Sequence, residues 1–175
     1  MKKYYNIMIF TISVFVLAAL DQISKVFATN ALKGNSSIPI WNDVLELYYL
    51  ENTGTAWGLF GGARIFFIII TTIIFLVIVF FIYRLPFTKR NIPLLLNAIL
   101  LGSGAIGNFI DRMVLGYVRD FIYFKLINFP IFNIADIYVT VGIGLFAILI
   151  FFVYKDEELT SIIKLQKDGG TKTYE

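Results

Sequence analysis

Asp120 and Asp136, sixteen positions apart, are the residues of this chain with the clearest capacity for chemistry. Asp120 precedes the aromatic, apolar run Phe121-Ile122-Tyr123-Phe124, and Asp136 opens a long uncharged stretch beside another apolar aromatic segment. Two carboxylates brought together in semi-apolar surroundings cannot both ionise easily, so one apparent pKa rises while the other stays low. Such a pair can hold a water between a base and an acid, the arrangement of aspartic hydrolysis. Arg119 and Lys125 could neutralise one carboxylate but not every acid in this region. Composition closes the other routes. The absence of histidine removes the commonest general base and the serine–histidine triad. The absence of cysteine removes thiol nucleophiles, disulfides and thiolate zinc sites.

Three further polar runs have structural readings beside the functional ones. In Asp21-Gln22-Ile23-Ser24-Lys25 the acid and the base are four apart on a helix and read as an ion pair closing an apolar stretch. Glu51-Asn52-Thr53-Gly54-Thr55-Ala56-Trp57 is rich in turn residues and by itself reads as a loop. In the run from Gly102 to Arg112, glycines at 102, 104 and 107 suit a helix that a neighbouring backbone approaches closely. Gly104, Asn108, Asp111 and Arg112 share one face of that helix, so a packing seam closed by an Asp111–Arg112 pair accounts for the run.

The elements that must position these residues are membrane helices. Of 175 residues 58% are hydrophobic and only 15% charged, with mean hydropathy +0.79, too little polar surface for a water-soluble globule. A net charge of +3 is too small to point to nucleic acid. Four uncharged stretches approach the ~20 residues a bilayer requires: about 4–20, 65–83, 91–110 and 137–154. The first reads as a retained helix rather than a cleaved leader, because no A-x-A site precedes Asp21. An even number of spans puts both termini on one side. The termini and the loop 84–90 carry nine of the fifteen Lys and Arg, which predicts that this side is cytoplasmic. The loops 29–62 and 112–135 then face outward, and with the span ends beside them that face holds seven of the twelve carboxylates, among them Asp21, Asp111, Asp120 and Asp136. The first of these loops holds the β-prone run Val44 to Leu50, and reads as a small strand-containing platform with Trp41 and Trp57 at the membrane interface. The tail 155–175, ending in charge and glycine, reads as solvated. The fold class predicted is a single membrane-embedded domain (1–175), mainly α, with four spans and an extracytoplasmic platform.

The motifs Asp21-Gln-x-x-Lys25, Asn52-Thr-Gly54-x-Ala-Trp57, Gly104-Ala-Ile-Gly-Asn108-x-x-Asp111-Arg112, Val118-x-Asp120-Phe121 and Phe132-Asn133-x-Ala-Asp136 occur in this order across four spans. That succession closely resembles the lipoprotein signal peptidases (signal peptidase II), from about Asp21 to Gly142. The resemblance implies an intramembrane aspartic endopeptidase of the bacterial plasma membrane. Such an enzyme removes the signal peptide of prolipoproteins just before a cysteine that already carries diacylglyceryl. It makes Asp120 and Asp136 the catalytic dyad and gives Asn52, Gly54, Asn108, Asp111, Arg112 and Asn133 supporting or substrate-lining positions, with Asp21 and Lys25 a structural pair. No metal or organic cofactor is expected. The implied partners are diacylglyceryl-modified prolipoproteins and membrane lipids, not nucleic acid, and the chain is expected to act as a monomer. Two residues depart from the family pattern: Arg119, where an apolar residue is common, and Ile137, where Ser is common. Arg119 is placed to depress the pKa of Asp120, which would favour Asp120 as base. Trp57 and Phe60 are expected to cover the site. Two rival classes are a small ion transporter, disfavoured because the span interiors hold no acids, and a non-enzymatic assembly factor, which leaves the two acids unexplained.

Overall fold

The computed structural model describes residues 3–54 and 63–163. Its elements run α1 (Lys3–Leu32), β1 (Ile38–Trp41), β2 (Leu45–Asn52), α2 (Ala63–Arg84), α3 (Ile92–Val114), β3 (Val118–Phe124), α4 (Ile134–Ile148) and α5 (Asp156–Ile163). Four helical segments are long and apolar enough to cross a bilayer: Tyr4–Leu32, Arg64–Arg84, Lys89–Val114 and Ile134–Val153. The shortest has 20 residues, which at ~1.5 Å per residue spans the hydrocarbon core. The chain is a multi-pass membrane protein with a three-stranded antiparallel sheet, ordered β1-β2-β3.

α3 is the hub. Half of its apolar window is buried, against 6% for α2, because α1, α2 and α4 all pack on α3 while α2 turns most of its surface to lipid. Phe10 and Val14 of α1, Ile82 of α2, Leu94, Leu95, Ala98 and Ile99 of α3, and Leu149 beyond α4 form the main apolar core. The sheet has a smaller core of its own, in which Leu47, Tyr49, Phe121 and Ile122 close over Ala28 and Leu32.

Several boundaries differ from the sequence expectation, each for a visible reason. α1 does not stop near Leu20 but continues twelve residues to Leu32. Asp21 and Lys25 neutralise one another inside the helix, and Ala28 and Leu32 give its last turns a sheet to pack on. Asp111 and Arg112 lie within the last turns of α3, and α4 begins at Ile134 rather than at 137. Val118–Phe124, read only as an outward segment, is a strand paired with β2 from Leu45↔Phe124 to Asn52↔Val118. Part of the tail expected to be solvated is α5. Leu159 and Ile162 pack back on the core, and Arg90 binds Glu158 at 3.1 Å and the Val153 carbonyl at 2.5 Å. Trp57, Phe60 and the final residues from 164 onward lie outside the described residues.

Candidate active site

The site forms where β3, the start of α4 and the later halves of α1 and α3 meet. β3 has buried residues at Val118, Asp120 and Phe121, and Asp120 is 1% exposed. Phe132 extends the sheet by one residue: its carbonyl accepts from the amides of Phe121 (3.0 Å) and Ile122 (2.8 Å), and its own amide donates to Ile122 at 3.0 Å. That pairing delivers the next residue, Asn133, to the side of Asp120.

Asn133 is also the N-cap of α4. Its backbone is extended (φ −133°), its Oδ1 accepts from the Asp136 amide at 3.1 Å, and its own amide donates to Asp136 Oδ2 at 3.0 Å. This reciprocal capping box satisfies donors that a helix start leaves unpaired. The spacing Asn133-x-x-Asp136 is legible in the sequence as a capping signal, though with Asp in the place Glu or Gln usually takes. With Oδ1 committed to the cap, the Asn133 amide nitrogen turns the other way and donates to Asp120 Oδ1 at 2.6 Å. One residue therefore holds both carboxylates.

The remaining contacts orient the two acids. Asn52, at the end of β2, donates to Asp120 Oδ2 at 2.8 Å, while its own Oδ1 accepts from the Gly54 amide at 2.9 Å. Asn108 donates to Asp136 Oδ1 at 2.7 Å, and its Oδ1 accepts from Lys25 Nζ (2.9 Å) and from Asn133 (3.1 Å). Each of the three amides has its oxygen fixed by a group that can only donate, so its nitrogen must face a carboxylate or another acceptor. Among the described residues no buried side-chain polar atom lacks a partner. Burial pushes the Asp120 carboxyl up to about 6; the Asn52 and Asn133 donors oppose this, and the nearby Asp136 charge adds to it.

Below the pair lies a buried ionic quartet. Lys25 Nζ is 2.8 Å from Asp21 and 3.6 Å from Asp111, all three side chains being inaccessible to solvent. Arg119 clasps both oxygens of Asp111, with Nη2 at 2.7 Å and Nε at 3.2 Å, and its backbone amide adds a third bond at 3.0 Å. Gln22 links them further, donating to Asp111 Oδ1 at 3.0 Å and accepting from Arg119 at 2.8 Å. Asp21 also reaches across to α4, accepting from the Ala135 amide at 2.9 Å. Two sequence expectations are corrected here. The partner of Asp111 is Arg119 rather than Arg112, and Asp111 takes up the Arg119 guanidinium, while the donors that hold the Asp120 carboxyl down are Asn52 and Asn133. Arg112 instead lies over the Phe67 ring, 4.7 Å from its centroid, within electrostatic reach of Asp136 and Asp120. Gln22, absent from the candidate residues, was legible only as part of the Asp21–Lys25 run.

Two glycines are needed where they stand. A Cβ on Gly107 would lie 2.5 Å from Asp21 Oδ2 and 3.0 Å from the Ala135 Cβ, so only glycine lets α1, α3 and α4 converge beside Asn108. Gly54 has φ +78° and would press a Cβ to 2.7 Å from the Phe67 ring, the ring beneath Arg112.

Residues 13–152 match the family described as Signal peptidase (SPase) II. The chain is 41% identical over 145 residues to a lipoprotein signal peptidase of Clostridioides difficile, covering 83% of this chain and 96% of that protein. It is 40% identical over 136 residues to the protein of that name from Brevibacillus brevis, covering 78% and 90%. A solved bacterial membrane enzyme superposes with a TM-score of 0.73 at 33% identity, over 83% of this chain and 94% of the other.

Proposed function

The chain belongs to the signal peptidase II family, and from that premise we propose that it cuts diacylglyceryl-modified prolipoproteins just before the lipidated cysteine, with Asp120 and Asp136 as its catalytic pair. The observation that carries this reading is the double hold of Asn133, whose side chain binds Asp120 and whose backbone amide binds Asp136. Both acids are tied to one residue and the Asp136 charge acts on Asp120, which supports their sharing a water and a scissile carbonyl.

Charge bookkeeping supports a single shared proton. The quartet of Lys25, Arg119, Asp21 and Asp111 is neutral by itself. Arg112 then offers one positive charge to the two remaining carboxylates, and one proton completes the balance. Asp120, buried and lifted to about 6, is suited to the part of acid. Asp136 accepts from the Asn108 amide and the Asn133 backbone, and Lys25 polarises Asn108 from behind, which suits Asp136 to the part of base. Asp136 takes a proton from the water as its oxygen attacks the peptide carbonyl. Asp120 donates a hydrogen bond to the carbonyl oxygen and helps deliver a proton to the departing amine, and the two acids have exchanged roles when the bond is broken. Arg112 and Asn52 stand where developing negative charge can be met.

The excess of Lys and Arg on the termini and the 84–90 loop supports cytoplasmic termini and a cut at the outer face of the plasma membrane. The self-contained core on α3 supports action as a monomer, with lipid around the helices. The test is cleavage of a diacylglyceryl-modified prolipoprotein peptide by the purified protein. Cleavage before the cysteine by the native chain, lost in Asp120→Asn and in Asp136→Asn, is the expected outcome. Full activity in either variant overturns the dyad.

A further inference from the structure

A groove of about 750 Å³ opens on the face of the sheet turned away from α1. Leu47 and Tyr49 of β2 point inward to the α1 core, so the alternation of the strand turns Glu46, Tyr48 and Leu50 the other way, onto the floor of this groove. Tyr123 of β3 adds to the floor, and the segment 128–131, with Phe129 and Pro130, forms the opposite wall. The wall is braced: the Tyr123 hydroxyl donates to Asn128 Oδ1 at 2.6 Å, and Phe129 packs edge-on against Phe132, ring centroids 5.8 Å apart. Neither the dyad nor the buried quartet uses this surface.

The groove is continuous with the active site through one residue. Asn52 lines its inner end and donates to Asp120 at 2.8 Å. From Asn52 to Glu46 the strand runs about 20 Å at ~3.3 Å per residue, the length of an extended segment of some six residues. The direction is away from the helices, where a signal sequence would lie in the bilayer, so only the other side of the cut can follow it. The acid of the floor, Glu46, is paired with Lys125 at 2.8 Å, and Glu51 at the inner end is paired with Lys33 at 2.6 Å. Most of the remaining lining is aromatic, aliphatic and proline surface, Tyr48, Leu50, Phe129, Pro130 and Ile131, which suits an extended peptide with little regard to its charge.

Resting on the peptidase reading above, we infer that this groove is a binding site for the segment of the substrate that follows the cysteine, held extended along β2 between Tyr48 and Phe129. The first residues of the mature lipoprotein then contribute to recognition together with the lipid anchor, and the groove tethers the scissile bond at the Asn52 end.

The experiment compares two lipidated peptides sharing one signal sequence, the first ending one residue after the cysteine and the second six residues after it. For the native chain the longer peptide is expected to have a kcat/KM higher by about tenfold, the scale of one well-packed aromatic contact. Tyr48→Ala and Phe129→Ala, both at half-exposed positions, are expected to bring the ratio of the two substrates toward one. A native ratio of one overturns the inference. So does an equal fall on both peptides in the variants, which would assign the groove to the lipid anchor or to the shape of the Asn52 end. Failure of the native chain to cut either peptide is a different result, which refutes the peptidase reading itself.

Discussion

At the scale of single residues, the competition over Asp120 has a measurable consequence. Burial and the Asp136 charge raise its carboxyl, while Asn52 and Asn133 hold it down by donating to the charged form. With Asp120 as the acid of the pair, the alkaline side of the activity profile falls as pH rises through about 6. Removing a donor to the carboxylate lifts the pKa further. Asn52→Ala is therefore expected to move the alkaline limb of the kcat/KM profile to higher pH while lowering its plateau, read from a pH–rate series with the lipidated peptide. A limb that moves to lower pH would contradict the assignment of Asp120 as acid. The residue types were legible without a structure, because a chain lacking His and Cys leaves few hydrolytic devices. The partners were not. Arg119 is adjacent to Asp120 in sequence, and adjacency suggested that they interact. On a strand, however, neighbouring side chains leave opposite faces, and the bidentate fit to Asp111 claims the guanidinium.

Among the elements, the tightest geometric demand falls on the crossing of α1, α3 and α4 at Gly107. Gly107→Ala would force Asp21 or Ala135 to move and shift Asn108, the next residue, away from Asp136. The expected cost is about 1–3 kcal/mol, the range for overpacking a well-fitted core. It is seen as a lower unfolding midpoint in detergent together with slower cleavage. A variant as stable and active as the native chain would show that the helices have slack at this point. The four helices were legible because long uncharged runs have few other fates in water. Their ends were not, since a buried Asp–Lys pair reads in sequence as a boundary although the helix passes through it. β3 was missed for a related reason. Arg119 and Asp120 interrupt its apolar pattern, and both are polar for the sake of partners that only the folded chain supplies.

For the whole molecule, orientation can be tested without interference, because the native chain has no cysteine. Asp43→Cys, in the turn between β1 and β2, is expected to react with a membrane-impermeant thiol reagent added to intact cells. Lys89→Cys, in the turn between α2 and α3, is expected to react only after the membrane is opened. The reverse pattern would put the acids on the cytoplasmic side and contradict the proposed location of the cut. The placement of α5 was illegible for a global reason: an eight-residue segment with three acids at its start looks like tail until Arg90 and the core beneath it are in place.

Asn133 serves as both the clasp on the two acids and the first link of α4. Unwinding a single turn there would release Asp136 from its cap and leave Asp120 to Asn52 alone, so that the two acids part in one motion. Under the proposed roles, a newly inserted or half-assembled copy is thus harmless to the proteins around it, and the capacity to hydrolyse arrives only with the last stage of helix assembly.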